Sequence, residues 1–276
     1  MRNVIFTADD FGLSPEVNAA VERAHREGVL TAASLMVSER AAAEAIAIAR
    51  RNPRLAVGLH LTLTDGTPTL PPERIPALTR GCRFRDDMAG LGLTLAISPA
   101  ARAQLRAEIA AQIAAFRATG LACDHLNAHK HFHLHPVIAA LAFPAAAEAG
   151  IPATRIPYEP PGPVRAADPA SRPAPRALAP FAALLHRLAA RHGLKAPDRV
   201  FGLAWSGAFT PDRLAALLPN LPPGCTEIYL HPATAPFPGG APGYRHAEEL
   251  AALTDPRIRA AMAGLAIGGY AAMTRS

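Results

Sequence analysis

Five of the eleven histidines of this chain fall within the twelve residues from Asp124 to His135, and all five occupy odd-numbered positions. In an extended strand, alternate side chains project from the same face, so the pattern predicts a row of imidazoles on one side of a strand. Imidazole is the commonest metal ligand and titrates near neutral pH. The row therefore indicates a metal site or an acid/base site. A polar strand face in solvent is the other interpretation.

Two adjacent acids, Asp9 and Asp10, end an apolar run at residues 3–8 that is typical of a buried strand. Ser14 and Pro15 follow as an N-cap and a first helical residue, which predicts a helix that begins directly after the acids. Open α/β sheets and α/β barrels carry their chemistry at this carboxyl end of the strands. Because adjacent strand residues face opposite ways, both acids can share one site only if the strand bends at its tip.

A single histidine, His60, lies in the alternating segment 57–63, which predicts a half-buried strand. Taken alone, such a histidine is more often a hydrogen-bonded core residue than a ligand. Together with Asp10 and one residue of the later histidine row, it completes a set of one carboxylate and two imidazoles. This donor set suits Zn²⁺, Mg²⁺, Mn²⁺ or Fe²⁺, and the residue types alone leave the choice of ion open.

Three motifs in this order resemble those of the YdjC-like deacetylases: Thr-Ala-Asp-Asp-Phe-Gly at 7–12, Gly-Leu-His-Leu at 58–61 and Asn-Ala-His-Lys-His-Phe-His at 127–133. The resemblance covers residues 2 to about 253. It implies a single-domain α/β protein with an irregular (β/α), TIM-like barrel and a metal-dependent carbohydrate N-deacetylase activity. Residues 201–207 and 226–234 further resemble the branch of the family associated with hopanoid biosynthesis.

The resemblance also implies roles for individual residues. Asp10, His60 and His129 would bind one divalent metal ion, with Zn²⁺ or Mg²⁺ expected. Asp9 would be the general base, and His231, at the end of the strand 226–231, the general acid.

A second group of residues is assigned to substrate binding or to the support of the site, and their individual contacts are left open. Its members are His131, His133, Arg155, Glu159 and Trp205. The choice of His129 over His131 or His133 as the ligand is also open. Arg155 and Glu159 either orient Asp9 or the substrate or form a surface ion pair.

These residue types suit amide hydrolysis without a covalent intermediate. A metal ion held by two imidazoles and a carboxylate can polarise a carbonyl and lower the pKa of water. A base must then take a proton from water, and an acid must protonate the departing amine. A nucleophile is not indicated, because Ser206 lacks the first glycine of a Gly-x-Ser-x-Gly motif and the three cysteines form no paired spacing.

The composition predicts a cytoplasmic enzyme of one domain. A chain of 276 residues with three scattered cysteines suits a single barrel in a reducing compartment. No secretion leader or membrane-spanning stretch is apparent. The net charge of +6 is spread over many arginines rather than gathered into a basic stripe, so nucleic-acid binding is not expected. Weak peripheral contact with anionic lipid at the inner membrane face stays open, and the oligomeric state is undetermined.

The expected elements alternate as in βαβ units, within one domain at 1–276. Strands are predicted at 3–8, 57–63, 123–131, 153–157, 200–205, 226–231 and 264–270. Helices are predicted at 15–27, 40–51, 99–118, 136–149, 175–192, 211–218 and 245–253. Two long insertions, 64–98 and 158–175, interrupt the alternation and are expected to border the barrel mouth. The apolar stretch 87–98 in the first is interpreted either as a lid helix or as an apolar wall beside the metal site.

The function expected from these observations is removal of acetyl from an N-acetylglucosaminyl head group of a hopanoid glycolipid, of the acetylglucosaminyl bacteriohopanetetrol type. A chito-oligosaccharide or another soluble N-acetyl sugar is the alternative substrate. A metal-dependent sugar lyase, isomerase or epimerase on a TIM-type barrel is the alternative from another class, and it would release no acetate.

Overall fold

The fold is described by a computed structural model that covers residues 2–173, 175 and 179–274. Its strands within these ranges are β1 (Arg2–Phe11), β2 (Ala32–Leu35), β3 (Ala56–Leu61), β4 (Thr79–Arg80), β5 (Arg83–Phe84), β6 (Leu126–Ala128), β7 (Arg199–Phe201), β8 (Gly224–Leu230) and β9 (Ala266–Ile267). The helices are α1 (Pro15–Glu27), α2 (Ala42–Arg51), α3 (Met88–Ile97), α4 (Pro99–Ala118), α5 (Pro136–Glu148), α6 (Pro161–Ala167), α7 (Ala179–Arg191), α8 (Pro211–Leu217), α9 (His246–Thr254), α10 (Pro256–Ala261) and α11 (Tyr270–Met273). Short 3₁₀ turns lie at Pro72–Arg74, His129–Leu134 and Leu218–Asn220.

A parallel sheet forms the centre of the described residues, with the strand order β6-β3-β2-β1-β8-β7 and β9 paired to β1. All of β1 from Val4 to Phe11 is buried, as expected for a strand that is paired on both sides, with β2 and with β8. β1 pairs in register with β8 from Arg2↔Gly224 to Ala8↔Leu230. This pairing brings the carboxyl ends of β1, β3, β6 and β8 to the same edge.

The first helix follows its local signals. The Ser14 hydroxyl accepts a hydrogen bond from the backbone N–H of Val17 (3.3 Å), Pro15 is the first helical residue, and Gly28 ends the helix. The predicted bounds 15–27 are confirmed. Helices α4 and α5 likewise begin at Pro99 and Pro136, as expected from the preference of proline for the first turn.

The expected α/β class is confirmed, but the strands of the described residues do not close into a regular barrel, since no ladder joins β6 to β7. A strand was expected at 153–157, but residues 153–154 make only isolated bridges, to Leu126 on one side and Lys195 on the other. The backbone N–H of Val200 then donates to the carbonyl of Tyr158 (2.8 Å). The regular ladder therefore has two edge strands, β6 and β7, and this irregular segment lies between them.

The prediction of one strand over 123–131 is wrong. β6 is only three residues long, and a 3₁₀ turn begins at His129, with Lys130 and His131 in the left-handed region (φ 52° and 54°). The strand ends where its ladder to β3 ends, at Leu61↔Ala128, because no neighbour pairs with the residues beyond. The five histidines therefore do not share one face.

Other differences concern elements with weak local signals. β2 was not predicted, since its four residues, Ala-Ala-Ser-Leu, lack β-branched side chains. The insertion 64–98 contains the β4–β5 hairpin and α3, and the insertion 158–175 contains α6.

The helix predicted at 175–192 is confirmed over residues 179–191 by α7. Residues 176–178 of that prediction lie outside the described residues. The same holds for residue 174 of the second insertion and for residues 1, 275 and 276 of the predicted domain. Among the helices described, none is long and apolar enough to cross a membrane.

Candidate active site

The two acids after β1 reach the same cavity because the strand bends between them. Asp10 has φ 62°, and the pairing of β1 with β2 shifts register between Ala8 and Phe11. The predicted bend at the strand tip is thereby confirmed. Asp9 and Asp10 both line a cavity of about 620 Å³ at the carboxyl edge of the sheet. A left-handed backbone at a non-glycine residue is uncommon and is often found at functional sites.

Asp10, His60 and His129 form a group that could hold a metal ion, with one ligand atom of each within 4.8 Å of the others. His60 Nε2 lies 3.3 Å from Asp10 Oδ1, and His129 Nδ1 lies 3.0 Å from the same oxygen. The other nitrogen of His60, Nδ1, donates to Asn127 Oδ1 (2.6 Å), which leaves the Nε2 lone pair directed at the group. One carboxylate and two imidazoles at this spacing fit a divalent cation.

The charges of this group support one another. Burial disfavours the ionised form of Asp10, but the charge of His129 and hydrogen bonds from His129 and His60 outweigh it and hold the pKa well below its ordinary value. Burial also disfavours protonated His60, but Asp9 and Asp10 outweigh burial and raise its pKa. Protons and a metal ion would thus compete for the same nitrogen.

Asp9 is held by a fully buried arginine. Arg155 donates to Asp9 Oδ2 (2.5 Å) and Oδ1 (3.0 Å), and its other edge donates to the carboxylate of Glu227 on β8 (3.0 Å from Nε to each oxygen). Burial raises the pKa of Asp9, but the charge and hydrogen bonds of Arg155, together with the charges of His60 and His231, outweigh burial and hold the pKa far below the ordinary range. Arg155 therefore keeps Asp9 ionised and fixes its orientation, so the surface-ion-pair alternative is wrong for Arg155.

His231 lies at the end of β8 and lines the cavity with Asp9 and Asp10. Burial lowers the pKa of His231, and the two aspartates oppose this shift. Its backbone N–H donates to Glu249 of α9 (2.5 Å), and its Nδ1 lies 3.9 Å from the same oxygen. Burial raises the pKa of Glu249 to about 7.

Other residues that the sequence singled out lie at different distances from the cavity. His131 lines it and packs edge-on against Tyr229 (5.0 Å between ring centroids). His133 lies behind it, fully buried, and donates to the carbonyl of Arg155 (2.8 Å). His125 is also fully buried, and His135 lies beside Gly92.

Glu159 and Trp205 help to hold the loop that follows β7. Glu159 is buried and accepts the backbone N–H groups of Gly202, Leu203 and Ala204 (2.9–3.0 Å), so it anchors this loop instead of forming a surface ion pair. Trp205 is buried, and its indole N–H donates to Ser171 (2.6 Å). The loop itself supplies Leu203 and Ser206 to the cavity.

The apolar wall of the cavity does not come from residues 87–98. In α3, Leu91 is buried against the core and Leu93 is 63 % exposed, and neither lines the cavity. α3 packs on α4, which agrees with the packing expected in the lid-helix interpretation, but no residue of α3 lines the cavity. The apolar and aromatic side chains in the cavity instead include Leu13, Met36, Leu203, Phe237 and Tyr244.

Several residues that build the site have no role predicted from the sequence: Asn127, Ser34, Glu227, Tyr229 and Glu249. The alternation along β8 could have indicated Glu227 and Tyr229, because they lie on the same face of the strand as His231, the general-acid candidate directly after its end. Asn127 stood within the quoted motif at 127–133 without a role.

Comparison with known proteins agrees with this architecture. A carbohydrate deacetylase of Geobacillus stearothermophilus is 32% identical over 268 residues, which cover 95% of this chain and 93% of that protein. A mouse carbohydrate deacetylase is 30% identical over 289 residues, covering 94% and 90%. A carbohydrate deacetylase of Brevibacillus brevis is 40% identical over 152 residues, and this match spans 54% of the present chain and 57% of the relative.

A solved structure from Enterococcus faecalis V583, of a protein named for cellobiose-phosphate cleavage, superposes with a TM-score of 0.76 at 24% identity and covers 99% of both chains. At that identity it shows the fold. The YdjC-like protein family matches residues 3–264, a range that includes the bent strand tip, the two histidines of the candidate metal site and the end of β8. This chain belongs to the YdjC-like protein family.

Proposed function

We propose that this protein is a metal-dependent carbohydrate N-deacetylase, which hydrolyses the acetamido group of an amino sugar. The observation that carries the proposal is the meeting, in one cavity, of the Asp10–His60–His129 donor group, the arginine-held Asp9 and His231. Relatives that match most of the chain are named carbohydrate deacetylases, which supports the same activity.

In this proposal the metal ligands are Asp10, His60 and His129, and a bound divalent cation supplies Lewis acidity toward the amide carbonyl and acidifies water. Asp9 takes the proton of the attacking water. A carboxylate with so low a pKa is a weak base, so it can accept this proton only from water that has itself been made acidic. Because Arg155 lowers the pKa of Asp9, Asp9 can act as the base only when a nearby cation acidifies the water.

His231 supplies the second proton. Water adds its oxygen to the acyl carbon, the C–N bond breaks, and the amine nitrogen receives a proton as acetate departs. Because burial lowers the pKa of His231, its protonated form is a stronger acid than ordinary histidine and transfers the proton more readily. The negative charges of Asp9 and Asp10 favour the protonated form of His231 before the transfer.

For the substrate, we propose the N-acetylglucosaminyl head group of a hopanoid glycolipid. The two stretches with the hopanoid-associated resemblance both reach the cavity: 201–207 supplies Leu203 and Ser206, and 226–234 supplies Tyr229 and His231. The apolar side chains beside the donor group, Phe237 among them, offer a surface where hydrocarbon could leave water.

The test is release of acetate by purified protein that has been stripped with a chelator and reloaded with Zn²⁺ or Mg²⁺. We expect release from the glycolipid in micelles at a higher kcat/KM than from chito-oligosaccharides. The variant His135→Gln, which changes a histidine of the same segment outside the cavity, is the control for handling and should keep wild-type activity.

Each other result has a definite meaning. Equal or better use of soluble chito-oligosaccharides rejects the hopanoid substrate and keeps the deacetylase. A changed sugar without acetate favours the lyase or isomerase alternative. As a further check, Phe237→Ser should weaken the lipid substrate selectively, and Leu93→Ser, on the exposed face of α3, should not.

A further inference from the structure

Asn127 connects the candidate metal ligand to the candidate base. Its Oδ1 accepts from His60 Nδ1 (2.6 Å), and its Nδ2 donates to Asp9 Oδ1 (3.2 Å). The side chain is fully buried, so water cannot replace either bond. Rotating the amide by half a turn would place its oxygen against the Asp9 carboxylate, so only one orientation satisfies both neighbours. In that orientation, His60 must carry its proton on Nδ1.

The same amide continues into a chain of buried side chains. Asn127 Nδ2 also donates to Ser34 Oγ (2.8 Å), and the Ser34 hydroxyl lies 3.0 Å from His125 Nε2. The Asp124 carboxylate can only accept, so His125 carries a proton on Nδ1 and donates it to Asp124 Oδ2 (3.1 Å). In a neutral imidazole Nε2 is then the acceptor, and the Ser34 hydroxyl donates to it. Every bond in the chain has one direction, and a change at one member constrains the next.

Asp124, at the far end of this series of hydrogen-bonded side chains, binds the last helix, α11. Asp124 accepts the backbone N–H groups of Tyr270 (2.8 Å) and Ala271 (3.0 Å), at the first turn of α11. The Tyr270 ring stacks on His125 at 4.1 Å between centroids. A Cβ at Gly58 would lie 2.5 Å from the His125 ring, so the glycine of the 58–61 motif makes room for this histidine.

We propose that Asn127, Ser34, His125 and Asp124 form a positioning relay, which holds His60 with its proton on Nδ1 and holds Asp9 in its present orientation. This inference rests on the proposed metal site. None of the four residues lines the cavity, so they act through His60 and Asp9 and do not contact substrate. If they served only to satisfy one another in the core, weakening the relay would change stability without changing the site.

The first measurement is the zinc dissociation constant, obtained by competition with a chelator. Loss of a hydrogen-bond partner behind a metal-bound histidine typically weakens binding by about 10- to 100-fold, and we expect a loss of this size for Asn127→Leu. Ser34→Ala removes the next bond and should give an intermediate loss, at least about threefold. Ser14→Ala is the matched control, because it removes a buried serine hydroxyl that caps α1, outside the relay. It should leave the constant unchanged.

The second measurement follows the Nδ1 proton of His60 by NMR of histidine-labelled protein, with and without zinc. Ser34 does not touch His60, so a shift of this resonance in Ser34→Ala, absent in Ser14→Ala, is a signature of the relay that lost stability alone would not produce. The same spectra show whether each variant is folded.

The two proposals fail in different ways. A wild type that binds zinc and releases acetate, with Asn127→Leu and Ser34→Ala indistinguishable from Ser14→Ala in zinc affinity and in the His60 resonance, overturns the relay alone. A wild type that binds no zinc and releases no acetate overturns the proposed function. In that case a His60 resonance that still responds to Ser34→Ala supports the hydrogen-bond relay, and one that does not rejects it as well.

Discussion

Replacing Arg155 with methionine tests the electrostatic design of the site. The guanidinium is fully buried between the carboxylates of Asp9 and Glu227, which are themselves almost entirely buried. Methionine fills similar space without charge, so two buried carboxylates lose their shared cation. Removal of one partner from a buried ion pair typically costs about 3–5 kcal/mol. Against a total stability of about 5–15 kcal/mol, this loss is large but leaves a folded fraction to measure.

The loss should depend on pH in a defined direction. In the wild type the pKa of Asp9 lies below its unfolded value near 3.8, so Asp9 stabilises the fold above that pH and the contribution is lost on acidification. Without Arg155, burial dominates and raises the pKa of Asp9 above its unfolded value. The free-energy cost of ionising the buried Asp9 then grows as pH rises through the unfolded pKa of Asp9, and it is complete above the folded pKa in the variant. The gap between variant and wild type should narrow from pH 7 towards pH 4.

Urea unfolding followed by circular dichroism at pH 7 and pH 5, with chelator present, measures both effects. Arg213→Met is the control, since it removes an arginine whose partner Asp168 is partly exposed, and it should change stability little. A stability of Arg155→Met within about 1 kcal/mol of wild type at pH 7 would refute the reasoning, because that is less than the cost of an unpaired buried charge. An equal loss at both pH values would refute the pKa part alone.

Three further predictions concern the site. Asp9→Asn should lower turnover by about 10²- to 10⁴-fold, the usual worth of a general base, while metal content measured by atomic emission stays at the wild-type level. Loss of the metal instead would make Asp9 a ligand. His60→Ala should lose both metal and activity, and full metal occupancy in this variant would remove His60 from the site. Glu249→Gln should gain stability relative to wild type as pH rises from 4.5 to 7, by about 3 kcal/mol, because burial raises the pKa of Glu249 from 4.5 to about 7. Urea unfolding across this range measures the difference, and parallel curves would contradict the assignment.

The parts of the fold that the sequence predicts well are those with local causes. The strand, turn and helix at residues 2–27 follow from an apolar run, an N-cap serine and a first-turn proline, all within reach of one another in the chain. The meeting of Asp10 and His60 needs one further rule, that parallel strands carry their functional residues at the same edge. Both residues end or nearly end a strand, so the rule suffices.

The histidine segment shows where local pattern fails. Its alternation suits a strand, but a strand continues only while a neighbour offers hydrogen bonds, and β3 offers none beyond Leu61. The chain then turns through left-handed residues at Lys130 and His131. His129 joins the donor group nevertheless, because the first residue after β6 still lies at the carboxyl edge of the sheet. His129 therefore belongs to the donor group because of its position at the strand end, and the predicted alternation is not the reason.

The supporting residues are harder to predict because their partners are distant in sequence. Ser34 bonds to side chains more than ninety residues away, and it lies on a strand whose alanines give no β signal. Glu227, by contrast, could be inferred. A carboxylate on the inward face of a buried strand must pair with a cation or become protonated. Arg155 is such a cation, in a segment that the sequence places next to the carboxyl edge of the sheet. Because a charged residue on a core strand needs a buried partner of opposite charge, Asp9 and Glu227 on two predicted core strands together predict a cation between them, the place that Arg155 takes.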